Sequence, residues 1–324
     1  MDAGTNNHQS IRKNTSVTAS EEYLKALCEK TFLSLWSYPN IYRDQGKPKD
    51  VGSGKEICDL LVVFENHIII FSDKHCDFQN NEDEDLNWKR WFNRAIKESA
   101  KQAWGAEKWI RNFQNRIFLD KNCTIPLPID LPKKNEMKLH LVVVAHGVSE
   151  KISEKLGGSG SLMINSDIKG IKDHTHPFMI GDLDPNKTFI HVLDDFFLET
   201  LMSTRDTISE FVKYLEKKEK LMRSRIVFAA GEEELLAIYL KRVKDGEHDF
   251  DLPSDMDGIA LMEGYWENFK SHPQRLAQIK SDSISYVWDR LIEKFSKHAL
   301  AKNQYFVSAG GIKDSEVYGT GTKI

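Results

Sequence analysis

The sequence predicts an α/β protein whose chemistry lies in about the first 195 residues, followed by a mainly helical region. Three stretches carry that expectation. Residues 56–75, EICDLLVVFENHIIIFSDKH, hold two β-rich runs around Glu65-Asn66-His67, which reads as a tight hairpin turn. Residues 86–115 repeat Trp88, Trp91, Phe92, Ala95, Ile96, Ser99, Ala103, Ala106, Trp109, Ile110 and Phe113 at three- and four-residue steps, the spacing of an amphipathic helix. Residues 138–147, KLHLVVVAHG, read as another buried strand. The apolar residues of the hairpin barely alternate, which predicts a sheet covered on both faces.

The other elements follow in order. Residues 1–18 are polar and read as a disordered tail. Thr18 to Glu21, TASE, has the form of a capping box, and Leu24, Leu27, Cys28, Thr31 and Leu35 continue it as a helix over 20–36. SYPN (37–40) reads as the turn that ends this helix, and GKPKDVGSGK (46–55) as a loop. NNEDEDLN (80–87) is an acidic loop and IPLPIDLPKK (125–134) a connector. LGGSGSLMI (156–164) reads as a turn into a strand, KTFIHVLD (187–194) as a strand, and RIVFAA (225–230) as one more. Helices are expected over 195–221, 231–244, 257–271 and 280–300, and GIKDSEVYGTGTKI as a flexible tail. The expected organisation is therefore a tail (1–18), an α/β core (19–195) and a mainly helical C-terminal region (196–324).

Composition excludes several classes. The 324 residues carry 45 Lys+Arg against 49 Asp+Glu, a net charge of -4, with 40% hydrophobic and 29% charged residues. That is a soluble globular composition, not a collagen-like, disordered or disulfide-scaffold chain. It is also no polycation, so a nucleic-acid partner would have to be held by a local patch. The four cysteines, Cys28, Cys58, Cys76 and Cys123, form no CxxC pair and are expected to be reduced thiols. The N-terminus has no apolar signal core, and no apolar run approaches the ~18 residues of a membrane helix. The expectation is a cytoplasmic protein without a membrane partner.

The segment richest in chemistry is Asp59, a hairpin, and then Ser72-Asp73-Lys74. Metal-dependent phosphodiester cleavage needs a carboxylate at a strand end to hold Mg²⁺, and a nearby lysine to stabilise developing negative charge or help deprotonate water. A hairpin can bring Asp59 and Lys74 together, and the preceding helix could add Glu22 or Glu29, about two turns apart on one face. The bland reading of the same residues is an Asp59–Lys74 salt bridge.

A helix acid, then Asp, then a hairpin ending in acid-x-Lys resembles the PD-(D/E)xK nuclease superfamily, and this covers about residues 20–145. The resemblance implies a restriction-endonuclease-like fold, a mixed β-sheet core flanked by helices. It implies a Mg²⁺- or Mn²⁺-dependent nuclease acting preferentially on DNA, of a kind that often serves restriction or phage defence. Asp59 looks like the first motif acid, Lys74 like the motif lysine, and Glu29, with Glu22 as the alternative, like the helix acid. The run Lys101-Gln102-Ala103-Trp104-Gly105-Ala106 resembles the helix that supplies a Gln or Lys to the site. Asp59, Asp73, Lys74 and Gln102 are then the catalytic candidates, and Glu29, Glu56, Asp59 and Asp73 the metal candidates.

The sequence departs from that pattern at Ser72, where the acid of acid-x-Lys should stand. In a regular strand Ser72 and Lys74 share a face and Asp73 points away. Three outcomes follow: a bulge re-aims Asp73, the second ligand comes from Glu56 or Glu29, or the site has lost its metal. In the last case the chain is a catalytically degenerate nuclease-fold module for nucleic-acid binding or protein interaction.

The helix at 88–116 carries Lys89, Arg90, Arg94, Lys97, Lys101, Lys108, Arg111 and Arg116 against Glu98 and Glu107, eight cations to two anions and a local charge of +6. Lys97, Lys101 and Lys108 are candidates for a phosphate backbone, and Trp104, off the apolar stripe, for stacking on a base. The alternative is a solvated face with i,i+4 pairs such as Glu107–Arg111. His174-Thr175-His176 is a weak metal motif without a placed third ligand, GGSGS (157–161) is a turn and not a P-loop, and the acids of FAAGEEELLAIYL (228–240) would repel a phosphate. His67, in the hairpin turn, needs no special role. Phe196, Leu198 and Leu201 form an apolar stripe open to the core, a second copy of the chain or a partner protein.

Overall fold

The computed structural model describes residues 18–45, 54–79, 83–282 and 285–300. The expected terminal tails, most of the 46–55 loop and part of the acidic loop fall outside those residues. The chain order is α1 (Ala19–Phe32), β1 (Ser37–Arg43), β2 (Lys55–Phe64), β3 (His67–His75), α2 (Glu84–Trp91), a π-helical segment (Phe92–Lys97), α3 (Glu98–Asn112), β4 (Lys138–His146), α4 (Ser149–Leu156), β5 (Met163–Lys169), β6 (Met179–Asp182) and β7 (Ile190–Leu193). It continues with α5 (Asp195–Thr204), α6 (Ile208–Ser224), β8 (Ile226–Ala229), α7 (Glu232–Lys241), the short ribbon β9 (Val243–Lys244) and β10 (Glu247–His248), β11 (Gly258–Leu261), α8 (Tyr265–Lys270), α9 (Pro273–Asp282) and α10 (Ser285–Leu300).

The main sheet has the order β1-β2-β3-β4-β7. The first three strands form an antiparallel meander, and β4 and β7 continue it in parallel. Helices cover both faces, as the weak alternation of the strands requires. Leu60, Val62, Ile69, Phe71, Val142 and Val144 face a core shared with Leu24, Cys28 and Phe32 of α1 and Phe211 and Leu215 of α6. Leu61, Val63, Ile68, Ile70, Leu141 and Val143 face Trp88, Trp91, Ile96, Ala103 and Ile110 of the α2–α3 run. The capping box of α1 is formed in both directions. Thr18 Oγ1 accepts the Glu21 N–H at 3.2 Å, and Glu21 accepts the Thr18 N–H at 3.3 Å.

Several boundaries differ from the sequence reading. SYPN is the start of β1 and not a turn; this is an edge strand, where the missing N–H of Pro39 leaves no inner ladder bond unmade. The expected helix at 195–221 is two, because Thr207 caps a new start by accepting the Glu210 N–H at 3.2 Å. GIAL, at the head of the expected 257–271 helix, is β11, parallel to β8. The backbones approach so closely there that a Cβ on Gly258 would lie 2.2 Å from the Ile226 carbonyl oxygen.

A second sheet, β11-β8-β5-β6, takes two strands from before residue 195 and two from after it. Leu198 and Leu201 are fully buried in the core that α1 shares with the main sheet. The residues after 195 thus complete the core. Exposed apolar side chains of the C-terminal helices lie further along and include Leu276, Ile279, Val287 and Trp288. Cys28, Cys58, Cys76 and Cys123 are free thiols. Among the described residues no helix is long and apolar enough to cross a membrane.

Candidate active site

The acids of β2 are brought together by a defect in the ladder. Pairing with β1 runs from Ile41↔Cys58 to Tyr42↔Glu56, so Ile57 is an extra residue in β2. Residues three apart in an unbroken strand point to opposite faces. The extra residue removes that opposition, and the Glu56 and Asp59 carboxyls share a hydrogen bond. A bulge at Asp73 is one of the three outcomes the sequence allows. The structure has β3 in unbroken register with β4 from His67 to His75, and the irregularity is one strand away.

The β2–β3 ladder ends at Leu60↔Phe71, and just past it Asp59 Oδ2 accepts the Asp73 N–H at 2.7 Å. Burial lifts the Asp59 carboxyl to about 8; that N–H pulls it down, while the charges of Glu56, Asp73 and Glu21 push it up. Burial and then Glu21 raise Glu56 as well. Glu21 is the helix acid that acts on this pair. Glu29, the expected one, stands eight residues further, about 12 Å along the axis, and Glu22 is exposed beside Lys25 at 3.3 Å. Glu21 was legible only as a cap; its second role needs the α1–β2 packing.

Ser72 faces α3, where its Oγ donates to Gln102 Oε1 at 3.4 Å. Strand alternation puts Lys74 on the same side. Lys74 is exposed and, among the described residues, makes no ion pair, so the Asp59–Lys74 salt bridge is not formed. Asp73 lies across the sheet. Its Oδ1 is 2.6 Å from His146 Nε2, and His146 Nδ1 is bonded to Asp195, whose other oxygen accepts the Gly147 N–H at 3.1 Å. Burial alone would lower His146, but its bonds to Asp195 and Asp73 outweigh that and hold it at about 9. Asp73 is therefore the anion of a buried imidazolium through Oδ1, while its Oδ2 is buried without a hydrogen-bond partner.

Beside these residues a cleft of about 470 Å³ lies between β2 and α3, lined by Arg43, Lys55, Glu56, Lys101, Gln102 and Trp109 among others. The Arg43 guanidinium lies over the Trp109 ring at 4.6 Å. Part of the basic helix face is internally paired: Lys101 with Glu98 at 2.6 Å, and Arg111 with Glu107 at 3.0 Å, the pair foreseen from spacing. Lys97 donates to Asn93 at 3.2 Å. Lys108 is exposed and unpaired among the described residues. Trp104 is not an open stacking face. Its Nε1–H donates to the Thr188 carbonyl at 2.9 Å, and Lys187 Nζ covers the ring at 4.0 Å. His174 is structural too, with Nδ1 on the Gly170 carbonyl at 2.8 Å and Nε2 accepting the Gly181 N–H at 3.0 Å.

Comparison of the chain with family models, curated proteins and solved structures finds no match.

Proposed function

We propose that the chain is a divalent-cation-dependent nuclease acting on nucleic acid, DNA first, with its site at Glu56, Asp59, Lys74 and Gln102. The observation that carries the reading is the pairing of Glu56 with Asp59 across the β2 bulge, beside a cleft lined by both cations and carboxylates. The mixed sheet flanked by helices supports it, because that is the core the PD-(D/E)xK resemblance implies.

The donors fit Mg²⁺ or Mn²⁺. Two hard carboxylate ligands are what such ions commonly take, and a dication would offset the burial and the neighbouring charges that keep Asp59 protonated near neutral pH. Bound there, the ion would supply polarisation of a phosphate oxygen and acidification of a water. The chain's own parts do the rest. Lys74 offers an exposed ammonium to charge developing at phosphorus. Ser72 orients Gln102 at the cleft wall, and Arg43, Lys55 and Lys101 offer cations to the backbone.

The experiment is cleavage of single-stranded, double-stranded and circular substrates with Mg²⁺ or Mn²⁺. Asp59→Ala and Lys74→Ala are each expected to lower the rate about a hundredfold or more. Full activity in both variants would overturn this site. A specific observation favours a second reading, a degenerate module that binds without cutting. Ser72 replaces an acid and Asp73 is committed to His146. Saturable binding to nucleic acid, with no cleavage under any cation, selects that reading.

A further inference from the structure

At the opposite end of β3 from Lys74, seven residues and about 23 Å away, two histidines meet outside the candidate nuclease site. His67 opens β3 directly after the Glu65-Asn66 turn, and His140 lies on β4 opposite Ile69. Both side chains lie on the sheet face that α6 covers, and Glu216 of α6 stands over them. The two imidazoles stack at 5.2 Å with an 18° tilt, and His67 Nδ1 is 3.0 Å from His140 Nε2. One ligand atom from each of His67, His140 and Glu216 falls in a group no more than 4.8 Å across.

We infer that His67, His140 and Glu216 form a binding site for a borderline-soft divalent cation of the zinc type. Tetrahedral ligands about 2.0–2.1 Å from zinc stand about 3.3 Å from one another, close to the separation already present between the two nitrogens. Imidazole nitrogens favour zinc over the hard cations Mg²⁺ and Ca²⁺. His140 is 6% exposed, so burial favours its neutral, ligating form. The site also has an entrance, since His67 is half-buried and Glu216 is exposed. Three protein ligands leave one position open to water or to a group brought by a partner. The competing cation is Lys138, whose Nζ is 3.6 Å from Glu216 Oε1 at the exposed rim. Loading the site exchanges that exposed ion pair for the metal.

The test is a competition titration of the chelator-stripped full chain with Zn²⁺ against a chromophoric chelator. One saturable equivalent is expected, undisturbed by millimolar Mg²⁺. His67→Ala and Glu216→Gln, both near the surface, are each expected to weaken binding about tenfold or more. Lys138→Ala is expected to strengthen it, which a merely structural His–His hydrogen bond would not do. Asp59→Asn is expected to leave it unchanged, so the result is independent of the nuclease reading. No saturable Zn²⁺ binding by the folded wild-type chain, or equal binding by the wild type, His67→Ala and Glu216→Gln, overturns the proposal.

Discussion

Asp59 and His146 make stability depend on pH in the same direction. Asp59 stands at about 8 in the fold, against about 3.9 in an unfolded chain. Between those values the folded state keeps a proton that the unfolded state has released, so stability falls as pH rises through that window. His146 is held at about 9, against about 6.5 unfolded. Its contribution is complete below about pH 6.5 and is lost as pH climbs through about 9. Thermal denaturation of the chelator-treated chain is therefore expected to show a falling Tm from roughly pH 6 to 9. Asp59→Asn should lessen the fall and also abolish stabilisation by Mg²⁺ at the upper end. His146→Asn should lower the Tm most near pH 6, because it leaves Asp73 buried opposite a neutral partner. A Tm that rises across this range in the wild type would count against both assignments.

At the scale of elements, one extra residue in β2 and one orientation on α3 decide which candidates meet. Ile57 turns a spacing of three residues, which should separate two acids, into one that joins them. The α3 face is a mixture of paired, packed and free groups, although its sequence reads as uniformly basic. Trp104→Phe is expected to cost about 1 kcal/mol of stability through loss of the hydrogen bond to the Thr188 carbonyl. Its nucleic-acid affinity should not change. Lys108→Ala is expected to leave stability alone, weaken nucleic-acid binding several-fold, and reduce the slope of log K against log salt by about 0.9. Binding isotherms at several salt concentrations would separate these outcomes. The acidic turn at the head of α7 is likewise not a surface feature. Glu232 pairs with buried Lys218, Glu233 accepts from Ser159, and Glu234 accepts the Gly264 and Trp266 N–H groups at 3.0 and 2.9 Å.

At the scale of the whole molecule, one apolar core joins the main sheet to residues past 195. Ile69, Phe71 and Val144 share it with Phe197, Phe211 and Leu236. Cutting the chain at 195 would leave only α1 on one face of the main sheet and split the second sheet between β5 and β8. Residues 18–195 alone are therefore expected to show no cooperative unfolding transition, whereas the full chain melts cooperatively. Circular dichroism of the two proteins checks this, and a sharp transition in the fragment would restore an independent N-terminal domain. Val287 and Trp288, among the apolar side chains that remain exposed, belong to α10. This helix is tied to the body where Glu293 accepts the Ser34 N–H at 2.8 Å.

The sequence by itself determined what is local or periodic. It shows the capping box at Thr18, the hairpin about Glu65-Asn66, the apolar stripe through Trp88 and Ile110, the Glu107–Arg111 pair and the succession of first helix, hairpin, long helix and β4, though not β1. These depend on residues within a few positions of one another, where the helical or extended repeat fixes who neighbours whom. Only the tertiary structure decided the composition of the site. Asp59 and Glu56 were named from the sequence but joined by a bulge that no pattern marks. Glu21 took the place of Glu29 because the way α1 packs sets its N-terminal end near Glu56 and Asp59. Asp73 went to His146, and His67, given no role, met His140 and Glu216. Each of these meetings joins residues on different strands or helices, or across a break in the ladder. Such contacts are set by how packed faces and strand registers settle against one another, and a single chain read in order does not contain that information.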